Sequence, residues 1–217
     1  MILILLGPPG IGKGTQAGVL SDVLKLHHVA TGDIFRKNFK ENTKLSKESK
    51  KFIAKGILVP DKITNQIIAD YLSQTNLNSG FLLDGFPRNV LQAQFLENFF
   101  AKSNLILTKV IYFNAGAHDL MKRIIGRRIC TQCGKVYHLN NIPPRVQGIC
   151  DKDQKELIQR ADDRPDTFLK RLKVFNQETL PLVNYYRQKK QLFEVNGMQN
   201  IQQVTQIILK FLETEQK

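Results

Sequence analysis

Ile2-Leu3-Ile4-Leu5-Leu6-Gly7-Pro8-Pro9-Gly10-Ile11-Gly12-Lys13-Gly14-Thr15 runs a short apolar strand straight into a glycine-rich loop, and helical spacing resumes at Gln16. Strand, glycines, lysine and helix in this register describe a phosphate cradle. Glycines let successive backbone N–H groups converge on phosphate oxygens, the helix N-terminus adds partial positive charge, and Lys13 reaches the outer phosphates. The loop nominates a nucleoside triphosphate, held over Gly10, Ile11, Gly12, Lys13, Gly14 and Thr15. It departs from the usual P-loop at one place: Gly14 stands where Ser or Thr ordinarily meets the metal, and the hydroxyl arrives at Thr15.

Outward from the loop, strand-like runs recur near Val29 and at Gly80 to Leu83, Leu105 to Phe113 and Leu192 to Val195. Helical spacing is read over Gln16 to Leu26, Lys62 to Leu72, Val90 to Ala101, Asp119 to Ile125, Arg164 to Gln188 and Ile201 to Glu213. The alternation predicts an α/β chain with a parallel sheet covered on both faces and ligands at the carboxyl ends of its strands. Two stretches break it. Thr31 to Val59 reads as lysine-rich helices, and Arg127 to Gln159 holds all three cysteines with little helical period. Both are expected to be insertions over the active edge of one core, the better prior for 217 residues.

The balance of 32 Lys and Arg against 19 Asp and Glu gives a net charge of +13. Nucleic acid is the first partner class this suggests, but no aromatic residues interleave the lysines from Lys37 to Lys55, so a solvated basic face is expected instead. No apolar run approaches the ~18 residues of a membrane span, and no basic region precedes the first one, so a cytoplasmic protein with no membrane partner is expected. An odd number of cysteines argues against a disulfide framework and leaves metal binding or free thiols.

Asp84 ends the second apolar strand in Gly85-Phe86-Pro87-Arg88 company, where a carboxylate can help to hold magnesium beside phosphates and Arg88 can fork onto an oxyanion. A helix-capping aspartate is the alternative. Arg123 and Arg127, four apart, are expected on one face of the helix entering the second insertion. Arg160 and Arg171 flank its exit, with Asp162 and Asp163 available to orient them. Taken together these arginines suit charge that builds on a phosphoryl group in transfer.

Gly7 to Thr15, Thr31-Gly32-Asp33 with Arg36, Gly56 to Asp61, Gly80 to Arg88, Gln92, Arg123 with Gly126-Arg127-Arg128, Gln159 to Asp163 and Arg171 together resemble the adenylate kinase family in its long-lid form. The resemblance runs essentially end to end. It implies the P-loop nucleoside monophosphate kinase fold, with a five-stranded parallel sheet in a core over 1–29, 60–125 and 164–217. It further implies an AMP-binding insertion over 30–59 and a lid over 126–163. It implies reversible transfer from Mg²⁺-bound ATP to AMP, giving two ADP, by a chain expected to be monomeric. By position, Arg127, Val136, Tyr137 and Gln199 would join the loop in contacting ATP. AMP would meet Thr31, Arg36, Ile57, Leu58, Val59, Gly85, Phe86, Pro87, Arg88, Gln92, Arg160 and Arg171. Lys13, Arg88, Arg123, Arg160 and Arg171 would surround the transferred group, with Asp84 ordering the water of the magnesium. A pyrimidine monophosphate kinase is a near relative, though its usual short lid lacks a cysteine segment. A non-catalytic nucleotide-binding regulator would leave the arginines without work.

Within that lid, Cys130-Thr131-Gln132-Cys133, sixteen further residues, then Cys150-Asp151-Lys152-Asp153 follow a structural zinc template with Asp153 in the fourth position. Three free thiols beside a solvated aspartate are the alternative. His138 is a further candidate ligand, although its place after Tyr137 suggests a lid contact.

Overall fold

The computed structural model describes residues 1–40, 52, 57–75, 77 and 79–215. Of the lysine-rich helices expected over Thr31 to Val59, residues 41–51 and 53–56 lie outside the described residues, as does the side chain of Arg36. Five parallel strands form the main sheet: β1 (Ile2–Leu6), β2 (His27–Ala30), β3 (Phe81–Asp84), β4 (Lys109–Asn114) and β8 (Leu192–Asn196), in the order β2-β3-β1-β4-β8. The strand that feeds the glycine loop is central, paired in register with β3 (Leu5 opposite Asp84) and β4 (Leu6 opposite Tyr112).

Alternation along β1 explains why both faces are covered. Leu3 and Leu5 belong to one buried cluster, with Leu82, Ile111, Phe113 and Phe168, while Ile2, Ile4 and Leu6 belong to a second, with Val29, Leu83, Val110 and Phe100. A buried parallel strand shows its neighbours apolar residues on both sides, which is why β1 reads as an unbroken apolar run. The first face is closed by α1 (Lys13–Leu24), α5 (Ala117–Ile125) and α8 (Ile201–Glu215), through Ala17, Leu20, Leu120, Ile124, Ile208 and Leu212. The second is closed by α3 (Asp61–Gln74), α4 (Val90–Lys102) and α7 (Pro181–Gln188), through Ile68, Leu72, Ala93, Leu96, Leu182 and Tyr186. Among the described residues no helix is long and apolar enough to cross a membrane.

Three local expectations need correction. The strand expected from Leu105 begins only at Lys109, because the apolar residues ahead of it lie outside the sheet and Ile106 is 84% exposed. The single helix expected over Arg164 to Gln188 is α6 (Pro165–Val174), a π-helical turn over Phe175–Thr179, then α7. Arg127 does not share a helix face with Arg123, since α5 ends at Ile125 with Gly126 as its cap and Arg127 opens a new strand. That strand, β5 (Arg127–Cys130), lies between β6 (Val136–His138) and β7 (Leu157–Ile158) in a small antiparallel sheet within the cysteine-bearing segment. The helix α2 (Thr31–Lys40) follows β2 directly.

Candidate active site

The loop from Gly7 to Lys13 turns between β1 and α1 with Gly10 at φ +85° and Gly12 at φ +103°, a region that side-chain-bearing residues rarely adopt. At Gly10 the space is closed as well, since a Cβ there would sit 2.9 Å from the Leu120 carbonyl. Gly12 caps α1 without any side-chain hydrogen bond, and the first turn carries no acidic residue. The N–H groups at this helix end therefore meet no side-chain cap and no carboxylate from the helix's own first turn, a condition that favours an anion at a helix start. Ile11 points the other way. It is 2% exposed, and a Cβ on Gly197 would come within 2.6 Å of it, so its branched side chain belongs to the core.

Lys13 Nζ donates to the carbonyls of Gly7 at 2.6 Å and Pro8 at 2.9 Å. Burial pulls this ammonium down to about 7; Asp84 opposes the fall, and the charges of Arg88, Arg171 and Arg127 deepen it. Asp84 sits across the loop, with Oδ2 where a Cβ on Gly14 would approach to 3.4 Å. Burial alone would raise the pKa of Asp84, but His28, Lys13 and Arg88 outweigh it and keep the carboxyl below its usual range. His28 Nε2 lies 3.9 Å from Asp84 Oδ2, buried and beyond direct hydrogen-bond distance.

The acceptor side is assembled from β2, β3 and the turn after it. Thr31 Oγ1 donates to the Asp84 carbonyl at 2.9 Å, and Gly85 is the residue that lets it do so, because a Cβ there would stand 2.5 Å from that oxygen. Arg88 Nε donates to the Gly85 carbonyl at 2.8 Å, and its backbone N–H donates to Gln92 Oε1 at 2.8 Å. Gln92 is 1% exposed and gives its amide to Asp61 Oδ1 at 2.7 Å. Asn89, which caps α4 through the Gln92 N–H, also donates to Asp61. Phe86 is fully buried beneath this turn, which runs through a cis bond to Pro87. Ile57, Leu58 and Val59 line a cleft of about 380 Å³ together with Asn89, Gln177 and Glu178.

The arginines separate into two groups that spacing alone did not distinguish. Arg123 spans three backbone carbonyls, those of Ile11 at 3.1 Å, Gly197 at 2.8 Å and Met198 at 3.2 Å, and so braces the phosphate loop against the segment holding the exposed Gln199. Arg127, Arg160 and Arg171 instead converge on Asp162 and Asp163. Arg127 grips the fully buried Asp163 through Nε at 2.8 Å and through a second, shorter bond from Nη2. Arg160 forks onto Asp162 at 2.8 and 2.5 Å, and Arg171 bridges both carboxylates at 3.0 and 3.5 Å. Burial opposes the ionisation of Asp162, yet Arg160 and Arg171 hold its carboxyl at about 2. Arg171 is drawn down to about 10 by burial, despite Asp162, with Arg160, Arg127 and Arg88 adding repulsion. The expected orientation of guanidinium groups by these two aspartates is thus what the side chains do.

In the small sheet, Cys130, Cys133, Cys150 and Asp153 bring one ligand atom each to within 4.8 Å of one another. Tetrahedral metal–sulfur bonds of ~2.3 Å set sulfurs about 3.8 Å apart, and Cys133 Sγ and Cys150 Sγ are 3.8 Å apart. Backbone N–H groups of Gln132 and Lys152 each point at a sulfur at 3.4 Å. Burial, with Asp153 adding to it, pushes the Cys133 thiol up to about 12. Cys150 moves against its own burial, down to about 7, through hydrogen bonds from Tyr137 and the backbone. The donor set fits a structural metal. Tyr137 is 1% exposed, with its hydroxyl between Cys150 Sγ and the Asp151 N–H, so its ring serves the lid interior, while the neighbouring Val136 is half-buried. His138 is no part of the cluster; its Nδ1 accepts from the Asn140 and Asn141 N–H groups.

Set against known proteins, residues 5–191 match the sequence model of the adenylate kinase family. A protein named adenylate kinase from Phytoplasma australiense is 81% identical over 217 residues, covering 100% of both chains. The protein of that name from Onion yellows phytoplasma (strain OY-M) is 75% identical over the same length, and that from Acholeplasma laidlawii (strain PG-8A) is 44% identical over 211 residues, 97% of each chain. This chain belongs to the adenylate kinase family.

Proposed function

We propose, from membership in the adenylate kinase family taken with the site's geometry, that the chain transfers the terminal phosphoryl group of ATP reversibly to AMP, giving two ADP. One observation carries the assignment of residues: the charges of Asp84, Arg88, Arg171 and Arg127 all act on the Lys13 amine, so one carboxylate and three guanidinium groups lie within electrostatic reach of the phosphate loop. Phosphoryl transfer needs little covalent help, and what it does need is fixed positive charge where the equatorial oxygens develop theirs. AMP's own phosphate oxygen carries the attacking charge, so no general base is required.

The glycine loop from Gly10 to Thr15 holds the donor phosphates, with Lys13 on the outer ones. Arg88, Arg171 and Arg127 all act on that lysine, and Arg160 joins Arg171 through Asp162. Arg123 belongs to the nucleotide side, where it fixes the loop to the segment of Gln199, and the Val136 and Tyr137 backbone adds the lid's contact. Thr31, Arg36, Ile57 to Val59, Gly85 to Arg88 and Gln92 receive AMP. Asp84, kept ionised, and the Thr15 hydroxyl suit Mg²⁺, and the unpartnered His28 nitrogen beside Asp84 suits one of its waters. Magnesium supplies charge neutralisation between the donor phosphates. Cys130, Cys133, Cys150 and Asp153 suit a structural Zn²⁺ that holds the lid, 126–163, while 30–59 forms the AMP-binding insertion and the remainder the core. By analogy with the family we expect a cytoplasmic monomer without nucleic-acid or membrane partners.

Lys13→Ala tests the assignment. It should fold with unchanged amide-exchange protection in β1 and β4 and lose at least about a hundredfold in kcat for ADP formation, the scale on which one preorganised charge contact counts. A variant within about threefold of the parent would remove Lys13 from the chemistry.

A further inference from the structure

The turn that would receive AMP is held from behind by a segment outside every motif quoted above. Pro181 has no N–H, and its ring collides with the carbonyl four residues back in a regular helix. Between α6 and α7 the chain absorbs this as the π-helical turn over Phe175–Thr179, where the Leu180 N–H reaches back five residues to the Phe175 carbonyl at 2.8 Å. A threonine inside a helix commonly turns its hydroxyl onto the carbonyl four residues earlier. Thr179 Oγ1 instead donates across the molecule to the carbonyl of Arg88 at 2.7 Å, and the residue is only 8% exposed. Gln177 and Glu178 of the same turn line the cleft opposite Ile57, Leu58 and Val59. Arg171 lies eight residues earlier, on the helix that leads into the turn.

We propose that Thr179 is a positioning residue for the acceptor nucleotide: its buried hydrogen bond fixes the backbone of Arg88 and ties that arginine to the helix carrying Arg171. The two guanidinium groups then approach one phosphate from a common frame. This rests on the assignment of Arg88 to the AMP phosphate. The π-turn supplies the geometry, because it widens the helix at the one point where the hydroxyl must leave its own backbone.

Steady-state kinetics on the full chain test this. Thr179→Val keeps the shape and removes the hydroxyl; KM for AMP should rise about fivefold, the worth of one neutral hydrogen bond, with KM for ATP changed by less than about twofold. Thr179→Ser should return KM for AMP to the parent value. In an Arg88→Ala background, Thr179→Val should weaken AMP no further, since the two act through one contact. Equal shifts in both KM values, a serine variant as impaired as the valine, or additive losses in the double variant would each overturn the proposal. Should Thr179→Val fail to fold, Thr179→Ala is read by the same split. Arg88→Ala with undiminished AMP affinity would instead withdraw Arg88 from the phosphate, whereas a weakened Arg88→Ala beside a neutral Thr179→Val would withdraw only Thr179.

Discussion

The main sheet and the small cysteine-bearing sheet, which we propose is a lid, are built from the same chain by different means. The sheet buries Leu3, Ile4, Leu82, Leu83, Val110 and Ile111 at 0% exposure between two layers of helices, and each such side chain is worth roughly 1.5–3 kcal/mol on burial. The small sheet of the lid has one buried cluster, Cys130, Tyr137, Cys150 and Leu157, with two thiols among its four members. Strands of three and two residues at β6 and β7 add few ladder hydrogen bonds. A unit of this size buries little apolar surface to offset its chain entropy, and a metal held by the cysteine and aspartate donors would contribute what its core lacks. What differs is the source of stability, and with it the conditions under which each region comes apart.

Removing metal should separate them most. With a structural zinc at the four donors, as proposed, chelation or Cys130→Ser would forfeit a binding free energy on the order of 10 kcal/mol. Amide-exchange protection over 127–158 should then be lost while β1, β3 and β4 keep theirs; unchanged protection in the lid would mean that its own hydrogen bonds suffice. A smaller effect should come from truncating one leucine in each region. Leu82→Ala, in the fully packed sheet, should cost about 2–5 kcal/mol and lower the global melting temperature. Leu157→Ala, 8% exposed in the sparse lid, should cost about 1 kcal/mol. Equal losses would show that the lid possesses a core after all.

The gentlest probe concerns the place where the two regions meet. Lys13 belongs to the core, yet Arg127 from the lid side helps to depress it, and its free pKa of about 7 leaves it largely neutral at pH 8. Polyphosphate beside the amine favours the charged form, so ATP binding raises that pKa. Binding should therefore take up close to one proton at about pH 8 and almost none at about pH 6, where the lysine is already charged. Titration calorimetry in buffers of different ionisation enthalpy reads this directly. The same uptake at both pH values would mean that burial does not depress the Lys13 amine in the free protein.

How legible each region was follows the same division. The apolar run of β1 and the helix behind it were readable because a buried parallel strand has no polar face to confuse its pattern. Leu105 to Thr108 misled for a related reason: hydrophobicity alone does not say where a strand enters the sheet. The lid strands left no readable period at their length, although the spacing of Cys130, Cys133, Cys150 and Asp153 did mark where four donors meet. Thr179 could have been suspected from Pro181 two residues on, but its partner could not, since Arg88 lies 91 residues away.

The sequence by itself determined the phosphate loop, the alternation of strands and helices and the donor set of the lid, because glycine conformation, apolar burial and ligand spacing are local properties of the chain. Only the tertiary structure decided which groups each arginine meets. Arg123 and Arg127 are chemically identical and four residues apart; the helix end at Gly126 sends one to three backbone carbonyls and the other to a buried aspartate shared with Arg171. A guanidinium takes its role from the groups that surround it, and those come from parts of the chain that meet only on folding.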